Sequence, residues 1–237
     1  MRHIPGEVWF LPPEAEEGGD PKDRRHVLLA AHDDGDDGGI FAYASTQPTE
    51  TRFGAAHLLV DPARSRSPRV GFTRLSYVYP ARLVPAAEED LVRMTGRLDA
   101  EMSHLRAALR RALGLASTAT EAHWRGRVVR IAGVRAELID YRYGVVVTEP
   151  AYSRHERYQI IVPIDDADEF EPAPGDIVVD KGDWFIPVAP PIRRALFAIS
   201  DVQSVFHPRD IDHWTGAVVD PVSMRRVDQA LVELFGL

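Results

Sequence analysis

Two short clusters of polar residues flank segments with strand-like alternation, and their side chains could act on a phosphate group. One cluster precedes an apolar run and the other follows a second run: Arg24, Arg25 and His26, then Ser45, Thr46 and Gln47. Arginine is a planar, permanently charged donor that matches phosphate geometry. Hydroxyl and amide groups add hydrogen-bond donors, and histidine titrates near neutral pH. These residue types suit phosphate binding and proton transfer.

The composition excludes several other kinds of chemistry. The chain has no cysteine, which excludes a thiol nucleophile, an iron–sulfur cluster, a cysteine-ligated zinc site and a disulfide scaffold. Residues 32–39 read HDDGDDGG, but this run lacks the spacing and the closing glutamate of a calcium loop. We interpret it as a solvated turn, and we predict no metal ligands and no cofactor.

The order of elements repeats once along the chain. Segments 95–115 and 215–237 both start Thr-Gly, place apolar residues at helical spacing and end Gly-Leu. Asp99 and Asp220 stand where an N-cap belongs, and Gly114 and Gly236 stand where a helix ends. Three strand-like segments correspond in the same order: 6–10 with 126–130, 25–30 with 142–147, and 39–44 with 158–163. This order predicts two copies of one fold.

The repeat sets the domain boundaries. We predict domains at 1–115 and 124–237, joined by a short linker of small residues at 116–123. Each half is expected to be a small β-barrel or strongly bent sheet with a terminal helix. The first 115 residues carry 15 basic and 17 acidic side chains and the rest carry 13 and 19, so the net charges are −2 and −6. The acidity is therefore concentrated in the second half.

Overall composition indicates an ordinary globular protein. The 237 residues are 45% hydrophobic and 27% charged, with a formal net charge of −8. No window has the length and apolar character of a signal-peptide core or a membrane span. We therefore expect a cytoplasmic protein that does not associate with membranes.

The ordered series resembles the MazF/PemK toxin family. It consists of Gly-acid-Val-Trp at 6–9, an Arg-x-Val-Leu strand at 25–28, a strand that ends near Ser45 and Thr46, and a closing helix to Gly-Leu. The resemblance covers nearly the whole first half and the second half more loosely. It implies SH3-like β-barrels (MazF/PemK/CcdB-like), each closed by a C-terminal helix and arranged as a pseudo-dimer within one chain, which is compatible with a monomer.

The resemblance also implies roles for the polar clusters. Ribonuclease members of the family cut single-stranded RNA with an arginine and a threonine at the positions of Arg25 and Thr46. Gln47, His26, Arg24 and Ser45 would then contact the substrate. His26 replaces the family's proline, which adds a titratable group beside the site.

RNA can be cleaved without a metal when its own 2′-hydroxyl attacks the adjacent phosphorus. Such a site needs a proton acceptor, a donor to the leaving 5′-oxygen and cationic stabilisation of the phosphorane. Arg25 and Thr46 could supply donors, and His26 or His32 could share proton transfer. Arginine is a poor general base unless its site perturbs it. The expected products are a 2′,3′-cyclic phosphate and a 5′-hydroxyl.

The second half departs from this pattern. Arg142 matches Arg25, but Asp165 matches Thr46, and a carboxylate there would repel the phosphate. We predict a toxin-type endoribonuclease with one working half, single-stranded RNA as substrate and a cognate antitoxin as partner. The alternative is a noncatalytic RNA- or protein-binding module derived from the same fold. A gyrase poison is a poorer match, because the chain ends Leu-Phe-Gly-Leu and lacks a terminal aromatic segment.

Overall fold

The computed structural model describes residues 3–12, 24–32, 38–48, 57–115, 125–131, 143–148, 158–180, 192, 194–206 and 211–237. The chain divides into two compact units, Met1–Leu109 and Arg110–Leu237. The division falls inside the first α-helix, whereas the sequence repeat placed it in the linker. That linker, 116–123, lies outside the described residues, and the domain boundaries 1–115 and 124–237 stay predictions.

The first unit is built on a six-stranded antiparallel sheet with the strand order β4-β5-β3-β2-β1-β6. The helix α1 follows the last strand. The bounds of these elements are β1 Glu7–Leu11, β2 Arg24–Ala31, β3 Gly39–Ser45, β4 Leu58–Val60, β5 Ser76–Ala86, β6 Arg93–Arg97 and α1 Met102–Ala112. The strands predicted at 6–10, 25–30 and 39–44 are confirmed as β1, β2 and β3.

Both faces of the central strands are buried. Val8 and Val27 pair across β1 and β2 and are fully buried. On the other face, Leu11, Leu28 and Phe41 form an apolar cluster. Successive side chains of a strand point to opposite faces, so apolar residues at consecutive positions are expected in strands covered on both sides. This packing fixes the register that positions Arg25.

The second unit has a seven-stranded sheet with the path β10-β11-β9-β8-β7-β13, and β12 also pairs with β9. Its helix α2 closes the chain. The bounds are β7 Arg127–Ile131, β8 Tyr143–Val146, β9 Tyr158–Asp166, β10 Ile177–Asp180, β11 Arg194–Phe197, β12 Gln203–Phe206, β13 Ile211–Val218 and α2 Pro221–Phe235. The strands and the helix predicted for this half are confirmed. The strand β5 of the first unit has two shorter counterparts here, β11 and β12, separated by a 3-10 turn at Ile199–Asp201.

Corresponding glycines begin the first strand of each unit. Gly6 and Gly126 both have positive φ, +99° and +81°, a conformation that side chains with a Cβ rarely adopt. The Gly6 amide donates to the Leu28 carbonyl at 2.8 Å, and the Gly126 amide donates to the Val146 carbonyl at 2.8 Å. Equivalent hydrogen bonds therefore join the first two strands of each sheet.

Corresponding threonines tie the last strand of each sheet to the first. The Thr95 hydroxyl donates to the Val8 carbonyl at 3.1 Å, and the Thr215 hydroxyl donates to the Val128 carbonyl at 3.0 Å. The Thr-Gly dipeptides of the repeat thus lie in edge strands before the helices. Their shared sequence reflects a shared position in the sheet.

Of the two predicted N-cap residues, the structure confirms Asp220 and contradicts Asp99. Asp220 caps α2 as expected, because its carboxylate accepts from the amides of Val222 and Ser223 at 2.7 and 3.0 Å. Gly236 ends that helix at φ +60°. The prediction for Asp99 is wrong, since α1 begins only at Met102 and Asp99 pairs with Arg97 at 2.6 Å.

The residue just before α1 is Glu101. Its carboxylate accepts hydrogen bonds from the hydroxyls of Ser65 and Ser67, both at 2.5 Å. Burial acts to raise the pKa of Glu101, but these hydrogen bonds outweigh it and the pKa is lowered. Glu101 therefore ties the helix start to the loop that precedes β5.

No helix in the described ranges is long and apolar enough to cross a membrane.

Candidate phosphate-binding site

Three neighbouring strands of the first unit place two arginines on either side of one phenylalanine. Phe10 of β1 pairs with Arg25 of β2 and, on its other side, with Arg93 of β6. Residues directly opposite each other on neighbouring strands project from the same face of a sheet. Arg25, Phe10 and Arg93 therefore form one row across the strands.

Both guanidinium groups lie against the Phe10 ring. The Arg25 Cζ is 4.7 Å from the ring centre, and the Arg93 Cζ is 5.1 Å from it. Both distances are within the range of cation–π interaction. The ring holds two positive charges close together.

The electrostatics of Arg25 reflect this arrangement. Burial lowers the pKa of Arg25, and the positive charge of Arg93 lowers it further. The Arg25 Nε atom is buried and has no hydrogen-bond partner. The ion pairs found among the described residues include neither Arg25 nor Arg93. Two guanidinium groups with no carboxylate partner among the described residues are suited to binding an anion such as phosphate.

Thr46 lies just past the end of β3, the strand next to β2. His26 pairs with Tyr43, so the same antiparallel register brings Ala44 opposite Arg25. Thr46 is two residues further along, in the bend that follows β3, and its side chain is exposed. Arg25 thus lies near the start of β2, and Thr46 follows the end of the adjacent strand β3.

The turn that carries Thr46 is held on both sides. The Gln47 amide donates to the Ser45 hydroxyl at 3.1 Å, and the Tyr79 hydroxyl donates to the Gln47 carbonyl at 3.3 Å. The side chain of Gln47 is exposed and Ser45 is half-buried. Ser45 and Gln47 therefore fix the backbone on which Thr46 is presented.

A group of aromatic rings supports Tyr79 on the neighbouring strands. The Tyr79 ring lies 6.2 Å from Tyr43 and is stacked at 6.4 Å on Tyr77. The His57 ring lies 5.3 Å from Tyr77, nearly edge-on, and the Arg82 Cζ lies 3.9 Å from the Tyr43 ring centre. These rings stabilise the end of β3 from the face opposite Arg25.

The histidines predicted to assist do not lie with Arg25. His26 is only 2% exposed and packs edge-on against Tyr43 at 5.5 Å, on the opposite face of β2 from its neighbour Arg25. His32 follows the far end of β2, about 20 Å from Arg25 at roughly 3.3 Å per residue. The backbone of Arg24 begins β2, and its side chain lies outside the described part of the structure.

Phe10 and Arg93 are the components that sequence reasoning missed. Phe10 lies in the strand predicted at 6–10, and Arg93 lies before the helical segment predicted at 95–115. The alternation of β6 is short, and its pairing with β1 joins residues far apart in the chain. The sequence signal for Arg93 was weak: an arginine two residues before the Thr-Gly dipeptide.

The register of the second unit corrects the sequence match by one residue. Val128 pairs with Val145 as Val8 pairs with Val27, and Arg130 pairs with Tyr143 as Phe10 pairs with Arg25. Tyr143 therefore occupies the position of Arg25. Arg142, the residue matched by sequence, lies outside the described residues.

The same register shifts the match to Thr46. Tyr143 pairs with Ile164, so Asp165 corresponds to Ser45 and Asp166 corresponds to Thr46. A sequence offset across a loop cannot fix a ladder register, which explains the error. The second unit thus has a phenol and a carboxylate where the first has a guanidinium and a hydroxyl.

Carboxylates dominate this part of the second unit. The Asp166 amide donates to the Asp165 carboxylate at 2.7 Å, and the Asp166 carboxylate accepts from the Asp168 amide at 3.0 Å. Arg194 pairs with Asp168 at 3.1 Å and with Asp180 at 3.3 Å. The charge of Arg194 is thus paired with acidic neighbours, whereas the ion pairs among the described residues include neither Arg25 nor Arg93.

The part of the chain that the structure describes contains no group of three or more His, Cys, Asp or Glu side chains placed to hold a metal ion. No family model and no curated protein matches the chain. One solved structure that matches is described as an endoribonuclease in complex with its cognate antitoxin from a mycobacterial species. It is 19% identical, with a TM-score of 0.37, and the match covers 49% of this chain and 97% of that chain.

Proposed function

We propose that the chain is a toxin-type endoribonuclease that cleaves single-stranded RNA without a metal, with its working site in the first unit. One observation carries the proposal. Arg25 and Arg93 lie against Phe10 without a carboxylate partner among the described ion pairs. Resemblance to the MazF/PemK family supports the same assignment of Arg25 and Thr46.

The proposed reaction starts with attack of the 2′-hydroxyl on the adjacent phosphorus, with its proton passing to water, and the bond from phosphorus to the 5′-oxygen breaks as that oxygen takes up a proton. Arg25 donates to the phosphorane oxygens, where developing negative charge is stabilised by fixed donors. Because its pKa is lowered, Arg25 is also a better proton donor to the leaving 5′-oxygen than an ordinary arginine. Thr46 adds a hydroxyl donor. The products are a 2′,3′-cyclic phosphate and a 5′-hydroxyl.

In this proposal the second unit does not cut. Tyr143 and Asp166 stand at the positions of Arg25 and Thr46. An ionised carboxylate repels a phosphate and offers no donor. We propose that both units are SH3-like barrels that together take the place of a toxin homodimer, and that a cognate antitoxin is the protein partner.

RNA digestion tests the proposal. Purified protein is incubated with a long single-stranded RNA in the presence of EDTA, beside the variants Arg25→Ala and Thr46→Ala. Arg97→Ala is the matched control, since Arg97 lies in the same unit and its charge is paired with Asp99. We expect the parent and Arg97→Ala to cut, and both site variants to lose activity.

Two outcomes would contradict the proposal. If the parent leaves the RNA intact, or if Arg25→Ala cuts as fast as the parent, the site is not catalytic. Binding of RNA without any cleavage would instead establish the noncatalytic alternative.

A further inference from the structure

We propose that Arg93 is a second phosphate-binding residue, which holds a backbone phosphate next to the one that Arg25 contacts, on the other side of Phe10. This inference rests on the proposed function for its substrate, single-stranded RNA. Nothing in the sequence pattern or in the family resemblance assigns a role to Arg93.

The guanidinium groups of Arg25 and Arg93 lie close together. β2 and β6 flank β1 on opposite sides, and neighbouring strands are about 4.8 Å apart. Both Cζ atoms lie about 5 Å from the same ring centre, so they are no farther apart than about 10 Å, the Debye length at 0.1 M salt. The two charges therefore act on the same stretch of a bound polyanion.

The side chains of the two arginines differ in their exposure to solvent. Arg25 is half-buried and Arg93 is exposed. A half-buried guanidinium is suited to a reacting phosphate, because electrostatic interactions are stronger where water is excluded. An exposed guanidinium contributes to affinity by neutralising a backbone phosphate and releasing counterions. The two arginines accordingly have different tasks.

Arg93 also differs from other arginines in its ion pairing. Arg97, on the same strand, is paired with Asp99, and Arg194 of the second unit is paired with Asp168 and Asp180. Arg93 is in none of the ion pairs found among the described residues. In the second unit, the position that pairs with Arg130 as Arg93 pairs with Phe10 is His213. At the ladder positions of Arg25, Phe10 and Arg93, the second unit has Tyr143, Arg130 and His213.

Salt-dependent binding tests the inference separately from catalysis. The probe is a short single-stranded RNA with 2′-O-methyl groups, which lacks the attacking hydroxyl and cannot be cut by this route. Its affinity is measured over a range of salt concentrations for the parent, Arg93→Ala, Arg93→Lys and Arg97→Ala. Each neutralised phosphate of a single strand contributes about 0.7 to the slope of log K against log salt.

We expect Arg93→Ala to bind about tenfold more weakly at low salt and its slope to fall by about 0.7. Arg93→Lys should keep the slope, because it keeps the charge. Arg97→Ala should behave like the parent. On cleavable RNA, Arg93→Ala should raise KM, whereas Arg25→Ala should lower kcat.

The inference is overturned if Arg93→Ala keeps the parent's slope, or if Arg97→Ala loses as much slope as Arg93→Ala. It is also overturned if the parent shows no salt-dependent binding. Thermal melting of each variant excludes unfolding as the cause of a loss. A parent that binds with the expected slopes but never cuts RNA contradicts the proposed function and leaves the Arg93 inference standing. If the parent cuts RNA and the Arg93→Ala slope is unchanged, the Arg93 inference is contradicted and the proposed function stands.

Discussion

Replacement of Phe10 by leucine should slow RNA cleavage although Phe10 has no chemical role. The ring contacts both guanidinium groups, at 4.7 and 5.1 Å. Each cation–π contact contributes roughly 0.5 to 1 kcal/mol at an exposed site, so loss of both removes about 1 to 2 kcal/mol of positioning. Because about 1.4 kcal/mol corresponds to a tenfold rate change, we expect kcat/KM to fall about 5- to 30-fold.

Phe10→Tyr is the matched control for this variant. It keeps the aromatic face and should retain most of the parent's rate. Initial rates are measured on one fluorescent RNA, with melting curves for each variant, because Phe10 is half-buried and its replacement also removes packing. The reasoning is refuted if folded Phe10→Leu cleaves as fast as the parent, or if Phe10→Tyr is as slow as Phe10→Leu.

Three further predictions concern the second unit. Arg125 donates to the Leu113 carbonyl at 2.6 Å and pairs with the Asp228 carboxylate, so Arg125→Ala should cost about 1.5 to 3 kcal/mol in urea unfolding at neutral pH. Burial raises the pKa of Asp228, and Arg125 opposes this rise. The cost of Arg125→Ala should therefore shrink as pH falls and Asp228 is protonated. An equal cost at acid pH would contradict this reasoning. Asp220→Ala should lower the free energy of unfolding by about 1 kcal/mol. Hydrogen bonds from Ser223 lower the pKa of Asp220. The contribution of Asp220 to stability is therefore present above the pKa of an unfolded aspartate and is lost as pH falls through the pKa of Asp220 in the folded protein. A difference between Asp220→Ala and the parent that does not change with pH would exclude this cause. Tyr143→Ala should leave RNA cleavage unchanged, and a loss in the folded variant would show that the second unit takes part.

Much of the fold could be predicted because local chemistry determines it. Gly6 and Gly126 mark strand starts that need positive φ, and Asp220 and Gly236 mark the ends of α2. These signals act over a few residues and are visible in sequence. The match between the halves also reflects a shared long-range contact, since Thr95 and Thr215 each donate to the first strand of their sheet, 87 residues away in sequence.

The parts that could not be predicted depend on pairing between distant segments. Glu101 rather than Asp99 precedes α1, because hydrogen bonds from Ser65 and Ser67 hold it there. Arg93 reaches Phe10 only through the pairing of β6 with β1. In the second unit, Tyr143 stands at the position that corresponds to Arg25, because strand register depends on packing and not on loop length.

The burial of His26 illustrates the same limit at the candidate site. Its place next to Arg25 in sequence suggested a shared role in proton transfer. Neighbouring residues of a strand point to opposite faces, and His26 packs against Tyr43 instead. Sequence adjacency within a strand therefore predicts separation of the two side chains.

End analysis of RNA cut in the presence of EDTA tests the central claim most directly. The account predicts fragments that carry a 5′-hydroxyl and a 2′,3′-cyclic phosphate, formed at a rate that Arg25→Ala reduces by about 100-fold or more, as expected for loss of a donor that stabilises the transition state. Intact RNA, fragments with 5′-phosphates, or equal rates for the parent and Arg25→Ala would contradict it.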